Sequence, residues 1–145
     1  MLRGLTTVNF FADDVPAAVQ WYSELLGIEP YFIRPEEGPA AYVEFRIGTY
    51  SDELGIMDRK YAAHPTAGPA GSVVYWHVDD VAEATERALA AGATAHDPIV
   101  VREAGFVTGS VLDPFGNILG LMHSPHWIEV HADGPTAEAR AASVV

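Results

Sequence analysis

The sequence contains no cysteine, which removes a disulfide framework, a thiolate nucleophile and any Cys-ligated metal. Positive charge is scarce as well: 8 Lys+Arg stand against 20 Asp+Glu, a formal net charge of −12. Such a surface repels a phosphate backbone, so nucleic acid is not an expected partner, whereas acidity favours solubility and attracts small cations. Long apolar runs are also missing. The opening residues, MLRGLTTVNFFADD, hold one arginine and no extended hydrophobic stretch. Neither a signal peptide nor a membrane span is therefore expected, and a cytoplasmic location is the default. The motifs G-x-S-x-G, G-x-x-x-x-G-K-[ST] and G-x-G-x-x-G do not occur, so the sequence offers no nucleophile elbow, P-loop or dinucleotide fingerprint.

What is present is a globular composition, 49% hydrophobic over 145 residues, enough for one domain with a substantial core. Its most informative stretch is Leu112–His123, LDPFGNILGLMH. Asp113-Pro114-Phe115-Gly116-Asn117 carries turn chemistry: Pro fixes φ, Gly tolerates positive φ, and Asp and Asn bond neighbouring backbone. Ile118–Met122 then runs apolar with Gly120 at its centre. A glycine inside a strand marks a place where something approaches the backbone closely. Glu53-Leu54-Gly55-Ile56-Met57-Asp58 repeats the same pattern against Ile118-Leu119-Gly120-Leu121-Met122-His123.

The rest of the chain repeats with it. Leu5–Ala12 predicts a strand, and Asp13-Asp14-Val15-Pro16 a helix start with an Asp N-cap and Pro in the first turn. Ala18, Val19, Tyr22, Leu25 and Leu26 recur at helical spacing, and Gly27 ends the helix. Beyond a loop centred on Pro35–Pro39, Ala41–Ile47 and Glu53–Met57 predict two strands. Arg59–Gly71 reads as a linker rich in Pro, Gly and small residues. In the second half Val73–Val78 is a strand, Asp79-Asp80-Val81 a second helix start with Glu83 as capping-box partner, and Gly92 a second helix stop. Ile99–Val101, Gly105–Leu112 and Ile118–Met122 complete the series. The expected fold class is α+β: two tandem βαβββ modules (about 4–58 and 72–123). Residues 124–145 are expected to be a frayed tail or marginal helix.

Tandem modules of this kind, with D-D-V at the helix start and D-P-x-G-N-x-x-x-L before the last strand, resemble the vicinal oxygen chelate superfamily. That superfamily includes glyoxalase I, extradiol dioxygenases and bleomycin resistance proteins. The resemblance covers roughly residues 4–123 and implies sheets that curl into a cup enclosing a ligand. In metal-using members it also implies one His on the first strand and one Glu on the last strand of each module. Those positions fall here on Thr7 and Val73, and on Gly55 and Gly120. Val and Gly carry no donor, and Thr is a poor ligand beside imidazole and carboxylate. The expectation is therefore no metal and no cofactor. Dimers are common among such proteins, so a homodimer is expected.

Strand parity lists the cup's lining. Thr7, Asn9 and Phe11 come from the first strand, and Tyr42, Glu44 and Arg46 from the next, with Val43, Phe45 and Ile47 turned to the helix. Gly55 and Met57, Val73, Tyr75 and His77, and Gly120 and Met122 complete it. The surface is aromatic and aliphatic with few polar groups, and the two glycines are expected to make room for a flat ligand. Trp21, Tyr22 and Trp76 are read as core, and Glu44 with Arg46 as a candidate ion pair. The leading expectation is metal-free sequestration of a small aromatic molecule, with the acidic surface favouring a cationic one. The alternatives are a metal enzyme with relocated ligands (His77 with Glu44 or Glu53), a metal-free acid–base enzyme using His77, and a protein-binding module. His77 is the catalytic candidate. His123, His126 and His131 are read as a solvated tail.

Overall fold

Alternation in Thr7–Ala12 puts Phe10 and Ala12 on one face and Thr7, Asn9 and Phe11 on the other, and that split governs the first half of the molecule. The computed structural model describes residues 6–62, 68–69 and 73–134. Leu5, most of the expected linker and the end of the expected tail lie outside them. The described residues form two compact units, one reaching to the 3-10 turn Arg59–Tyr61, the other running from the strand at Val74 to the helix ending at Val130.

Unit one is β1 (Thr7–Ala12), α1 (Val15–Leu26), β2 (Phe32–Arg34), β3 (Tyr42–Ile47) and β4 (Asp52–Asp58), with sheet order β1-β4-β3-β2. β1 runs parallel to β4, and the other pairs are antiparallel. Asp14 caps α1 by accepting the Ala17 N–H at 3.0 Å, Pro16 sits in its first turn, and Gly27 ends it at φ 70°, as the sequence predicts. The helix buries Val15, Ala18 and Tyr22 against the sheet face of Phe10, Val43, Phe45, Leu54 and Ile56, all buried. Tyr22 touches both Phe10 and Phe45 through its ring. β2 was not expected; three residues are too few for a periodic signal.

Unit two repeats the plan with β5 (Val74–His77), α2 (Val81–Ala90), β6 (Thr94–Ala95), β7 (Val100–Val101), β8 (Val107–Leu112) and β9 (Ile118–His123). The sheet order is β5-β9-β8-β6, with β7 also paired to β8. Asp80 caps α2 through the Ala82 and Glu83 N–H groups at 2.8 and 3.0 Å. Two strand expectations need correction. The strand predicted from Gly105 starts at Val107, because Glu103–Gly105 closes a 3-10 turn with Ala104 at φ 54° and Gly105 at φ 81°. The two-residue β6 was also missed. Of the two forms expected for the tail, Pro125–Val130 takes the short helix, α3, capped by the Ser124 hydroxyl accepting the Trp127 N–H at 3.1 Å, and it lies in unit two.

The β8–β9 turn is held by one buried carboxylate. Asp113 Oδ1 accepts the Phe115 and Asn117 N–H groups at 2.9 and 2.7 Å, and Oδ2 accepts Asn117 Nδ2 at 2.7 Å. Removing it strands those donors, and a hydrogen bond to a charged group is worth about 1.5–3 kcal/mol. Asp113→Ala should therefore destabilise unit two by about 2–3 kcal/mol in urea unfolding, while Asp113→Asn, which keeps one acceptor oxygen, should lose less.

Candidate functional site

Each sheet has one face covered by its helix and one that is not, and the open faces collect the residues singled out by strand parity. In unit one the register sets them in three rows. Thr7, Glu53 and Arg46 form the first; Asn9, Gly55, Glu44 and Phe32 the second; Phe11, Met57, Tyr42 and Arg34 the third. β2 thus adds Phe32 and Arg34, which the sequence reading did not include.

Two carboxylates and three hydroxyls organise this face. Thr7 Oγ1 donates to Glu53 Oε2 at 2.8 Å. The Tyr31 hydroxyl lies 2.6 Å from Glu44 Oε2 and 2.8 Å from Glu53 Oε1, so its single proton is shared between the two acids. Tyr42 donates to the other oxygen of Glu44. Hydrogen bonds from Thr7 and Tyr31, then the charge of Arg46, hold the Glu53 carboxyl below its usual value. Desolvation, followed by hydrogen bonding to the carboxylates, raises the Tyr31 and Tyr42 phenols. Arg46 stacks over the Tyr31 ring at 4.0 Å and has Glu53 Oε1 at 4.0 Å. The ion pair expected between Glu44 and Arg46 is replaced by one to Glu53, the residue opposite Arg46 in the β3–β4 register. Arg34 stacks over Phe32 at 4.2 Å, and Phe32 meets Tyr42 edge-on. Tyr31 precedes β2 and carries no pattern that would have singled it out.

In unit two Tyr75, Gly120 and Ser110 form one row, and His77, Met122, Thr108 and Val100 the next. Val73 lies just before β5. Tyr75 is 40% exposed. His77 is enclosed: its ring stacks on Trp127 with centroids 4.2 Å apart, and Trp127 stacks in turn on His131 at 4.3 Å. The Ser124 N–H donates to His77 Nδ1 at 3.2 Å, so the neutral ring carries its proton on Nε2. Burial and the nearby His123 and His131 lower its pKa, against the opposing pull of Asp79. The His123 ring lies 5.7 Å from it. His123 and His131 are thus packed against unit two rather than solvated: His123 Nδ1 donates to the Asp79 carbonyl at 3.0 Å and His131 Nδ1 to the Trp127 carbonyl at 2.6 Å. The signal available in the sequence was the four-residue spacing of Trp127 and His131 behind a Ser cap.

The two mid-strand glycines do not open room for a ligand. A Cβ on Gly55 would lie 2.1 Å from Asn9 Oδ1 and 2.9 Å from Tyr42 Cε2; on Gly120 it would lie 2.6 Å from the Val74 carbonyl oxygen and 2.8 Å from Tyr75 Cδ1. The space is filled by the protein's own atoms. Among the described residues no three His, Asp or Glu side chains form a group that could hold a metal ion. These contacts also rank the two sites. At Gly55 the obstacles are side-chain ends, whereas at Gly120 one is backbone. Gly120→Ala should therefore cost about 2–3 kcal/mol and Gly55→Ala about 1–2 kcal/mol, both within the usual overpacking range and both read by urea unfolding.

The comparisons with known proteins agree with this layout. Among solved structures, TioX from Micromonospora sp. ML1 is 21% identical with a TM-score of 0.63, covering 83% of this chain and 98% of its own. A glyoxalase/bleomycin resistance protein/dioxygenase superfamily member from Sphaerobacter thermophilus is 18% identical with a TM-score of 0.68, covering 85% and 98%. A lactoylglutathione lyase from Agrobacterium tumefaciens is 20% identical with a TM-score of 0.64, covering 88% and 98%. At such identities the likeness is one of fold. No curated protein sequence is significantly similar to the chain. The family model for the glyoxalase/bleomycin resistance protein/dioxygenase superfamily matches residues 4–121, and the chain belongs to that superfamily.

Proposed function

We propose that this protein binds a small aromatic molecule without a metal, using the open faces of its sheets. The observation that carries the reading is the occupancy of the glycine positions. Where metal-using relatives would present a carboxylate, this chain has no side chain, and Asn9, Tyr42, Val74 and Tyr75 close over the gap. Thr7, at a position where such relatives would present an imidazole, gives its hydroxyl to Glu53, and Val73 has no donor. A divalent transition metal needs three or four converging ligands, and the residues present do not supply them.

What the open faces do offer is aromatic and apolar surface edged by a few fixed polar groups, which is how small-molecule sites are built. In unit one these are Phe11, Phe32, Tyr31 and Tyr42 with the hydrogen-bonded Glu44 and Glu53. In unit two they are Tyr75, Met122 and an adjoining depression. His77 forms part of the wall in this reading. Its Nδ1 is taken by the Ser124 N–H and its side chain is 9% exposed, a poor placement for a general base that must reach a substrate proton. The soluble homodimer expected of such proteins belongs to the same proposal.

Chemical-shift mapping with a panel of small aromatic compounds tests the reading. Saturable shifts should concentrate on open-face groups such as the Met57, Tyr75 and Met122 side chains and leave the helix-covered Val43, Phe45 and Val111 unmoved. Aromatic compounds that bind nowhere, or that perturb only the helix-covered side, would contradict it.

A further inference from the structure

Beside the His77–Met122 row, unit two has an open depression of about 760 Å³, lined in part by Val101, Arg102, Phe106, Thr108 and Met122. Its volume is that of a small-molecule site. Val101 is 77% exposed, beside the half-buried Phe106 and Met122, an unusual amount of apolar surface to leave to water. Arg102, the cation among the described lining residues, is set apart from most other described cations. Arg34, Arg46, Arg59 and Lys60 each have a carboxylate within 4.0 Å. Arg102 instead donates from Nε to the hydroxyl of the buried Thr108 at 3.1 Å. That bond fixes the guanidinium plane and leaves its two Nη groups, the edge that pairs with carboxylates, with no acidic partner among the described residues.

The backbone holds the arrangement. Arg102 N–H donates to the Phe106 carbonyl at 2.7 Å, and Phe106 N–H to the Glu103 carbonyl at 3.2 Å, around the left-handed Ala104 and Gly105. Arg102 and Phe106 are thus presented from one closed turn, and Thr108 and Met122 from paired strands. A guanidinium ordered in advance loses little entropy when it binds.

We propose that this depression takes an organic acid, with its apolar or aromatic body against Val101, Phe106 and Met122 and its carboxylate on the Nη edge of Arg102. The inference rests on the small-molecule reading above and adds the charge of the ligand. It reverses locally what the chain's acidity suggests, since a net charge of −12 by itself favours cations. Glu103 also lines the depression and opposes an anion there, which gives the test a second sign.

The test compares 2-naphthoate with its neutral analogue 2-naphthamide, following the Met122, Val101 and Ala104 methyl signals of the whole chain. A charge-assisted pair is worth about 1.5–3 kcal/mol, so the acid should bind roughly tenfold or more tightly than the amide. Arg102→Gln should abolish that preference while leaving the amide's affinity within about twofold, and Glu103→Gln should tighten the acid about two- to threefold. Equal affinities for acid and amide, or an acid affinity indifferent to Arg102→Gln, would overturn the organic-acid assignment while leaving aromatic binding intact. If neither compound moves these methyls or any other open-face signal, the small-molecule reading fails with it.

Discussion

The close approach of side chains and backbone over the two mid-strand glycines is the constraint on which the rest of this structure depends. In each unit the first strand runs parallel to the last, and the glycine lies at the middle of that pair. Parallel pairing brings Asn9 alongside Gly55 and Tyr75 alongside Gly120, and neither neighbour could sit where it does if the glycine carried a Cβ. A residue type chosen for packing thereby removes a potential ligand atom. The fold keeps its superfamily layout, and the centre of each open face is filled by the protein's own side chains and backbone.

The open face of unit one carries charge in the rows beside Gly55. Glu44 and Glu53 lie on neighbouring strands, and Tyr31, Tyr42, Thr7 and Arg46 satisfy them. Two like charges so close would repel, and the shared phenol proton with the adjacent guanidinium offsets that repulsion. Unit two solves a different problem. On its open face His77 stacks against Trp127 and its pKa is lowered, chiefly by burial, while the accessible charge lies in the turn before β8.

The fold was legible because its signals were local and repeated. Asp14 and Asp80 cap helices, Gly27 ends one, and Asp113-Pro114-Phe115-Gly116-Asn117 makes its turn through contacts within five residues. Strand parity then sorted Tyr42, Glu44 and Arg46 from Val43 and Phe45 without knowledge of any partner. What parity cannot give is what lies over a residue. The expected vacancy at Gly55 and Gly120 failed because side-chain direction is readable from a strand, but the reach of Asn9, Tyr42 and Tyr75 across it is not. Tyr31, Arg102 and Trp127 were missed because each sits in a turn, a loop or a short helix, where no period marks the inward residue.

On the proposed reading, the residues at the superfamily's metal positions hold no metal. Metal analysis of the untagged protein, followed by anaerobic titration with Zn²⁺, Ni²⁺, Mn²⁺ and Fe²⁺, tests it most directly. The account predicts no saturable site near one metal per chain that perturbs the open-face residues. One tightly held metal per chain, lost on His77→Ala or Glu53→Gln, would contradict it and restore a metal enzyme with relocated ligands.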